Sequence, residues 1–189
     1  TIKGNINIHT ENIFPIIKKW LYSEHDIFVR ELISNSFDAI NKLKKISSTE
    51  KVPVQNHKID ITIDKDKKTL TFKDTGLGMS AKEIQKYITQ IAFSGAEDFL
   101  KKYSDKDNKQ DIIGHFGMGF YSAFMVADQV EIKSKSYKDV PGVHWTCKGE
   151  TDYEIVPIKK DDIGTDIILS INEESKEFLE EIRIENLIK

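Results

Sequence analysis

Glu31, Asn35 and Asp38 stand at i, i+4 and i+7, a spacing that on a helix gathers two carboxylates and an amide within a sector of about 60°. Alone, this is what any solvated helix face shows; it becomes a site only if other segments converge on it. Asp74-Thr75-Gly76-Leu77-Gly78-Met79 supplies a second piece. Its carboxylate sits at a strand mouth, where it can accept a hydrogen bond from an exocyclic amine, and its glycines let backbone pass close to a ligand. An ordinary turn carrying an Asp is the plainer reading. Gly114-His115-Phe116-Gly117-Met118-Gly119-Phe120 is the third piece, a glycine loop opening an apolar helix. Unpaired N–H groups and the positive dipole end favour anions there, and phosphate oxygens are the natural guest. A tight helix–helix connection competes with it. The spacing is neither the dinucleotide fingerprint nor the P-loop.

Positioning these pieces requires a definite set of elements. Residues 26–46 read as the longest helix, with Leu32, Ile33, Phe37, Ile40 and Leu43 on one broad apolar side and Ser47-Ser48-Thr49 closing it. Before it lie a short edge strand over 3–8 and a helix over 12–22. Residues 58–64 and 69–73 alternate as a hairpin around the polar turn 64–68. Helices are expected over 81–93 and 96–103, then a wholly polar stretch over 104–111, and an apolar helix from the glycine loop through Ala127. Strands follow over 129–136, 143–148, 153–157 and 165–171. A last helix over 173–189 carries Phe178, Leu179, Ile182 and Leu187 on one stripe and has no stop signal, so a longer parent chain is expected. Helices early and strands late favour an α+β sandwich over a wound parallel sheet.

Composition narrows the partners. The 189 residues suffice for one domain with a real core. A net charge of −3 lacks the basic excess of a general binder of nucleic acid or anionic membrane. With 39% hydrophobic and 31% charged residues the chain is globular, not disordered. The single cysteine, Cys147, excludes an internal disulfide framework and multi-thiolate metal sites, which fits a reducing compartment. No apolar run approaches the ~20 residues of a membrane span, and a cytoplasmic location is expected.

Taken together, Glu-x-x-x-Asn-x-x-Asp on a helix, Asp-x-Gly-x-Gly after a strand and Gly-x-x-Gly-x-Gly before a helix resemble, in order and spacing, the nucleotide-binding motifs of the GHKL ATPases. The fuller strings Arg30-Glu-Leu-Ile-Ser-Asn35, Asp74-Thr-Gly-Leu-Gly-Met79, Gly114-His-Phe-Gly-Met-Gly-Phe-Tyr-Ser122 and Gly164-Thr165-Asp-Ile-Ile-Leu169 are more specific. They resemble the N-terminal ATPase domain of the ninety-kilodalton heat-shock chaperone family, in its bacterial HtpG form, over essentially the whole chain.

The resemblance implies a two-layer α/β sandwich of the GHKL (Bergerat) type, a mostly antiparallel twisted sheet covered on one face by helices that form the ATP pocket. It implies one nucleotide-binding domain over 1–189, with a lid over about 93–119. Glu31 would be the general base on the attacking water, and Asn35 would bind Mg²⁺. Asp74 would accept from the adenine amine with Thr165 behind it. Gly78 and Met79 would line the ring, and Asp38, Ala39 and Lys42 would border ribose and phosphates. Ser94, Gly95, Gly114, His115, Phe116, Gly117, Met118, Gly119 and Phe120 would contribute from the lid and glycine loop, Gly117, Gly119 and Phe120 through backbone N–H groups to phosphate. ATP would be bound and slowly hydrolysed to ADP, and the nucleotide state would drive lid closure and clamping of a homodimer in the full-length chain, acting on unfolded client proteins, with the isolated domain monomeric and neither nucleic acid nor membrane as partner. Phe93, His115 and Tyr87 depart from the commoner residues at their positions, Lys or Arg, Gln and Asn respectively. Ser36-Phe37 is also unusual; Phe37 is read as pointing away from the acidic face into packing.

Other candidates carry less. His9, His25, His57 and His144 have no metal-ligand spacing, Ser94 and Ser122 lie in no nucleophile elbow, and Asp64-Lys65-Asp66 lacks the Gly and Glu of a calcium loop. Trp20 and Trp145 read as packing. A gyrase- or mismatch-repair-type ATPase fits the motif strings less well, a histidine kinase lacks a phospho-acceptor helix, and a nucleotide sensor without hydrolysis leaves Glu31 unexplained.

Overall fold

The computed structural model describes residues 1–5, 26–50, 56–86, 88, 119–148 and 152–188. The expected helices over 12–22 and 96–103, the polar stretch 104–111 and the glycine loop from Gly114 to Met118 lie outside the described residues, as do residues 87 and 89–93 of the expected helix over 81–93.

Alternation of apolar and polar residues builds the sheet. Its strands are β1 (Ile2–Asn5), β2 (Ile59–Asp64), β3 (Thr69–Asp74), β4 (Ala127–Lys135), β5 (Gly142–Cys147), β6 (Asp152–Ile158) and β7 (Gly164–Ile171). They form one antiparallel sheet in the order β1-β6-β5-β4-β7-β3-β2. Every second residue points to the covered face: Leu70 and Phe72, Val130 and Ile132, Val143, Trp145 and Cys147, Ile155, then Ile167, Leu169 and Ile171 are all buried. The other face is mostly polar, with Val156 and Ile168 among its few apolar residues. One cross-strand row there runs Asp60, Lys73, Asp166, Lys133, His144 in register, alternating in charge sign along its first four members.

Helix α1 (Ile27–Ser47) lies on the covered face, with Lys44 and Lys45 in its last turn complementing the negative end of its dipole. Phe28, Leu32 and Leu43 are buried, each contributing about 1.5–3 kcal/mol of transfer free energy. Phe28 meets Phe72 and Phe178 edge-on, with centroids 6.3 and 5.0 Å away. Helix α2 (Ala81–Ile84) starts on a capping box, in which Glu83 N–H donates to Ser80 Oγ and Ser80 N–H to Glu83 Oε1.

Three sequence expectations need correction. Phe37 does not pack; it is 57% exposed. At about 100° per residue Ser36 falls within about 20° of Leu43, at the heart of the buried arc, while Phe37 lies about 100° further round. The segment after the glycine loop is a 3-10 helix, Gly119–Met125, and Ala127 already begins β4 opposite Ile171. The last stretch is two helices, a 3-10 turn at Glu173–Leu179 and α3 (Glu181–Ile188), separated by the extended residue Glu180. That break resets the helical phase. Phe178 and Leu179 are buried as expected, but Ile182 is 72% exposed and Ile184 takes the inward place.

Candidate functional site

Asp74 ends β3 directly opposite Thr165 of β7 and is buried at 5% exposure. Its carboxylate accepts from Gly76 N–H at 2.9 Å, from the Ser36 hydroxyl and from Thr165 N–H. Burial pushes its pKa up to about 6, these donors hold the rise back, and the Asp166 carboxylate adds to it.

The turn after Asp74 is stitched into both layers. Leu77 N–H donates to the Ala39 carbonyl at 3.2 Å and Tyr137 N–H to the Leu77 carbonyl at 2.9 Å. A Cβ on Gly76 would stand 2.5 Å from the Ala39 methyl group. Gly78 adopts φ +68°, and a Cβ there would collide with the Lys135 carbonyl oxygen, so glycine is required on both counts. Ser134, fully buried on β4, accepts from Met79 N–H at 2.8 Å and contacts Thr165 Oγ1 at 2.8 Å.

Above Asp74 opens a cavity of about 410 Å³. Asp74, Ser36 and Thr165 supply its buried polar groups, and Leu77, Met79, Ile88, Phe120, Ile132 and Ile167 supply apolar surface. Asn35, Asp38, Ala39 and Lys42 line it from α1, with Gly78 and Glu83 completing the lining. A deep, mostly apolar slot with a few fixed acceptors suits a flat ring bearing an amine, and the polar groups on α1 suit a charged extension. A larger depression of about 620 Å³ lies beside β1 and β6, lined by Lys3, Thr146, Lys148 and Asp152 among others, but it contains no buried acid.

Of the residues expected from sequence, Asn35, Asp38, Ala39, Lys42, Asp74, Gly78, Met79, Phe120 and Thr165 meet around this one cavity. Glu31 is half-buried one turn before Asn35 and is not among the lining residues. Burial raises its carboxyl pKa, and neighbouring Arg30 opposes the rise. Gly119 opens the 3-10 helix. Phe120 is among the lining residues, its ring 5.8 Å from that of Trp145 in edge contact. Ser94, Gly95, Gly114, His115, Phe116, Gly117 and Met118 lie outside the described residues. Sequence reasoning gave no site role to Ser36 or Ser134. Each is a hydroxyl at an inward position of an apolar pattern, and that was the available signal.

Fold and cavity fall in one class: residues 22–177 match the family of histidine kinase-, DNA gyrase B- and HSP90-like ATPases, and the chain belongs to that family. Within it, the chain is 54% identical to chaperone protein HtpG of Bacteroides thetaiotaomicron, over 99% of this chain and 27% of that protein. It is 48% identical to chaperone protein HtpG of Porphyromonas gingivalis over 98% of this chain and 27% of the relative. For chaperone protein HtpG of Wolinella succinogenes the figures are 42%, 99% and 31%. The chain thus spans 27 to 31% of the length of these relatives. The resemblance drawn from the motifs and the α+β sandwich expected from it are both borne out. Among the described residues no helix is long and apolar enough to cross a membrane.

Proposed function

We propose that the chain is the N-terminal nucleotide-binding domain of an HtpG-type chaperone, binding ATP in the α1–β3–β7 cavity and hydrolysing it slowly. The observation that carries this reading is Asp74: a buried carboxylate among apolar ring-sized surfaces, held by three donors and facing a cavity lined on its α1 side by Asn35, Asp38 and Lys42. The adenine amine would donate to Asp74, with Thr165 beside it and Gly78 and Met79 against the ring. Ribose and phosphates would run toward Asp38, Ala39 and Lys42. The lid over about 93–119 would close over them, with Ser94, Gly95 and the loop Gly114, His115, Phe116, Gly117, Met118, Gly119 supplying further contacts.

Glu31 would take the proton of the attacking water. A partly desolvated carboxylate with a raised pKa is a better base than a solvated one, and a long packed helix fixes its direction. The donor set suits Mg²⁺: the Asn35 amide oxygen is a hard ligand at the cavity, and this ion takes one or two protein ligands beside phosphate oxygens and waters. When bound, it would neutralise phosphate charge. Client proteins and a homodimer, with the isolated domain monomeric, belong to the same proposal and to the longer parent chain.

Calorimetric titration of ATP in the presence of Mg²⁺ tests the reading. Asp74→Asn puts an amide where the adenine amine must donate and is expected to weaken binding at least about 100-fold. Tight ATP binding by this variant would remove the base assignment.

A further inference from the structure

We propose that Ser134 fixes the hydrogen-bonding polarity of Thr165, and so makes the cavity select a 6-aminopurine over a 6-oxopurine nucleotide. The inference rests on the reading that a purine base lies against Asp74.

Proton counting carries it. Ser134 Oγ has one hydrogen to give and lone pairs to accept with. Met79 N–H, 2.8 Å away, can only donate to it, and the Gly164 carbonyl, 3.2 Å away, can only accept from it. Thr165 Oγ1, 2.8 Å away, can do either. If Ser134 gave its hydrogen to Thr165, the Gly164 contact would hold no hydrogen. All three contacts are hydrogen bonds in one arrangement only: Met79 N–H donates to Ser134, Ser134 donates to Gly164, and Thr165 donates to Ser134. Burial enforces that arrangement, because Ser134 is 0% and Thr165 5% exposed and an unmade bond there is costly.

With its only hydroxyl hydrogen consumed, Thr165 Oγ1 can offer the cavity nothing but lone pairs. Asp74, once ionised, is likewise an acceptor. The polar wall formed by these two residues is therefore all-acceptor. It complements an exocyclic amine, whose two hydrogens can serve both residues directly or through a water, and it repels a carbonyl oxygen at the same ring position. Ser134 touches no ligand in this account; it is a positioning residue acting through Thr165.

The test is calorimetric titration of ADP and IDP, which differ at the 6-position and its adjoining ring nitrogen, into the protein and three variants. The native protein is expected to prefer ADP. Ser134→Ala frees the Thr165 hydrogen to turn toward a 6-oxo group, so the ADP-to-IDP preference should narrow about tenfold, the scale of one hydrogen bond. Ser134→Thr, which keeps the hydroxyl, should restore it. Thr165→Val removes the second acceptor without touching Ser134 and should narrow the preference as well, a check that survives if Ser134→Ala folds poorly. Equal weakening of ADP and IDP in Ser134→Ala with the ratio unchanged would overturn the proposal, leaving Ser134 as a prop for Met79. Native binding of ADP and IDP with equal affinity would also overturn it while leaving nucleotide binding intact. Failure of the native protein to bind ADP would instead remove the underlying base assignment, and this inference with it.

Discussion

Asp74, Gly78 and Thr165 on the sheet side of the cavity and Asn35, Asp38 and Lys42 on the helix side are held in different ways. The sheet-side groups are cross-tied through Gly76, Leu77, Met79, Ser134 and Gly164 by hydrogen bonds spanning α1, β3, β4 and β7. The helix-side groups stand on exposed positions of one helix and make no hydrogen bond or ion pair to another described residue. Fixed acceptors suit recognition of a rigid ring, where an error of an ångström matters. Exposed long side chains suit a flexible, highly charged chain and a cation that arrives with it. On the proposed reading, identity falls to the sheet wall and charge handling to the helix wall.

That division can be broken from either side. The largest effect is expected on the helix: Glu31→Ala should leave ATP affinity within a fewfold of native but lower turnover by roughly 10²–10⁴. Parallel loss of binding would mean that Glu31 supports the pocket rather than the chemistry. On the sheet wall, Gly78→Ala should cost stability, about 2–3 kcal/mol in a denaturant melt, because a Cβ meets both a left-handed φ and the Lys135 carbonyl. An unchanged melt would show the turn to be free to move.

The pKa of Asp74 sharpens the comparison through two opposite pH trends. Its folded value, about 6, lies above the unfolded 3.8. The unfolded state therefore loses this proton first, and the Asp74 contribution to ligand-free stability should fall between about pH 4 and 6 and then level, by up to about 2–3 kcal/mol. Asp74→Asn should abolish that part of the slope. Nucleotide affinity should run the other way, falling up to tenfold per unit below about pH 6 as the acceptor is protonated. A flat affinity profile from pH 5 to 8 would separate Asp74 from binding. The smallest effect lies outside the cavity: Lys68 pairs with Glu173 at 3.0 Å with both side chains more than half exposed, so loss of this ion pair in Lys68→Ala should leave the denaturant melt nearly unchanged.

What could be read from the sequence follows the range of the interactions involved. Asn35, Asp38 and Lys42 share a face through helix geometry alone, and Asp74 marks a strand end through local alternation, so both were legible. The pairing of Asp74 with Thr165 has no local signature; it came from the motif resemblance, not from periodicity. Ser36 was visible only as an oddity beside Phe37. Its burial follows from helical phase, but its bond to Asp74 depends on how α1 lies over β3. Ser134 looked like any polar residue in a strand until the register put it against Thr165. Ile182 failed for a related reason, since one extended residue, Glu180, shifts every later side chain.

The sheet order has a consequence for how the molecule is made. β7 is the last of the described strands, yet it lies between β4 and β3. Until it is synthesised, the β2–β3 hairpin and the sheet of β4, β5, β6 and β1 lack the described strand that joins them, and Asp74 lacks the element that carries Thr165. Closing that gap links residues 69–74 to 165–170, a long loop whose entropic cost falls late. Nucleotide can therefore stabilise only the finished sheet, and during vectorial synthesis the site should appear in one step, when the strand beginning at Gly164 slots into place.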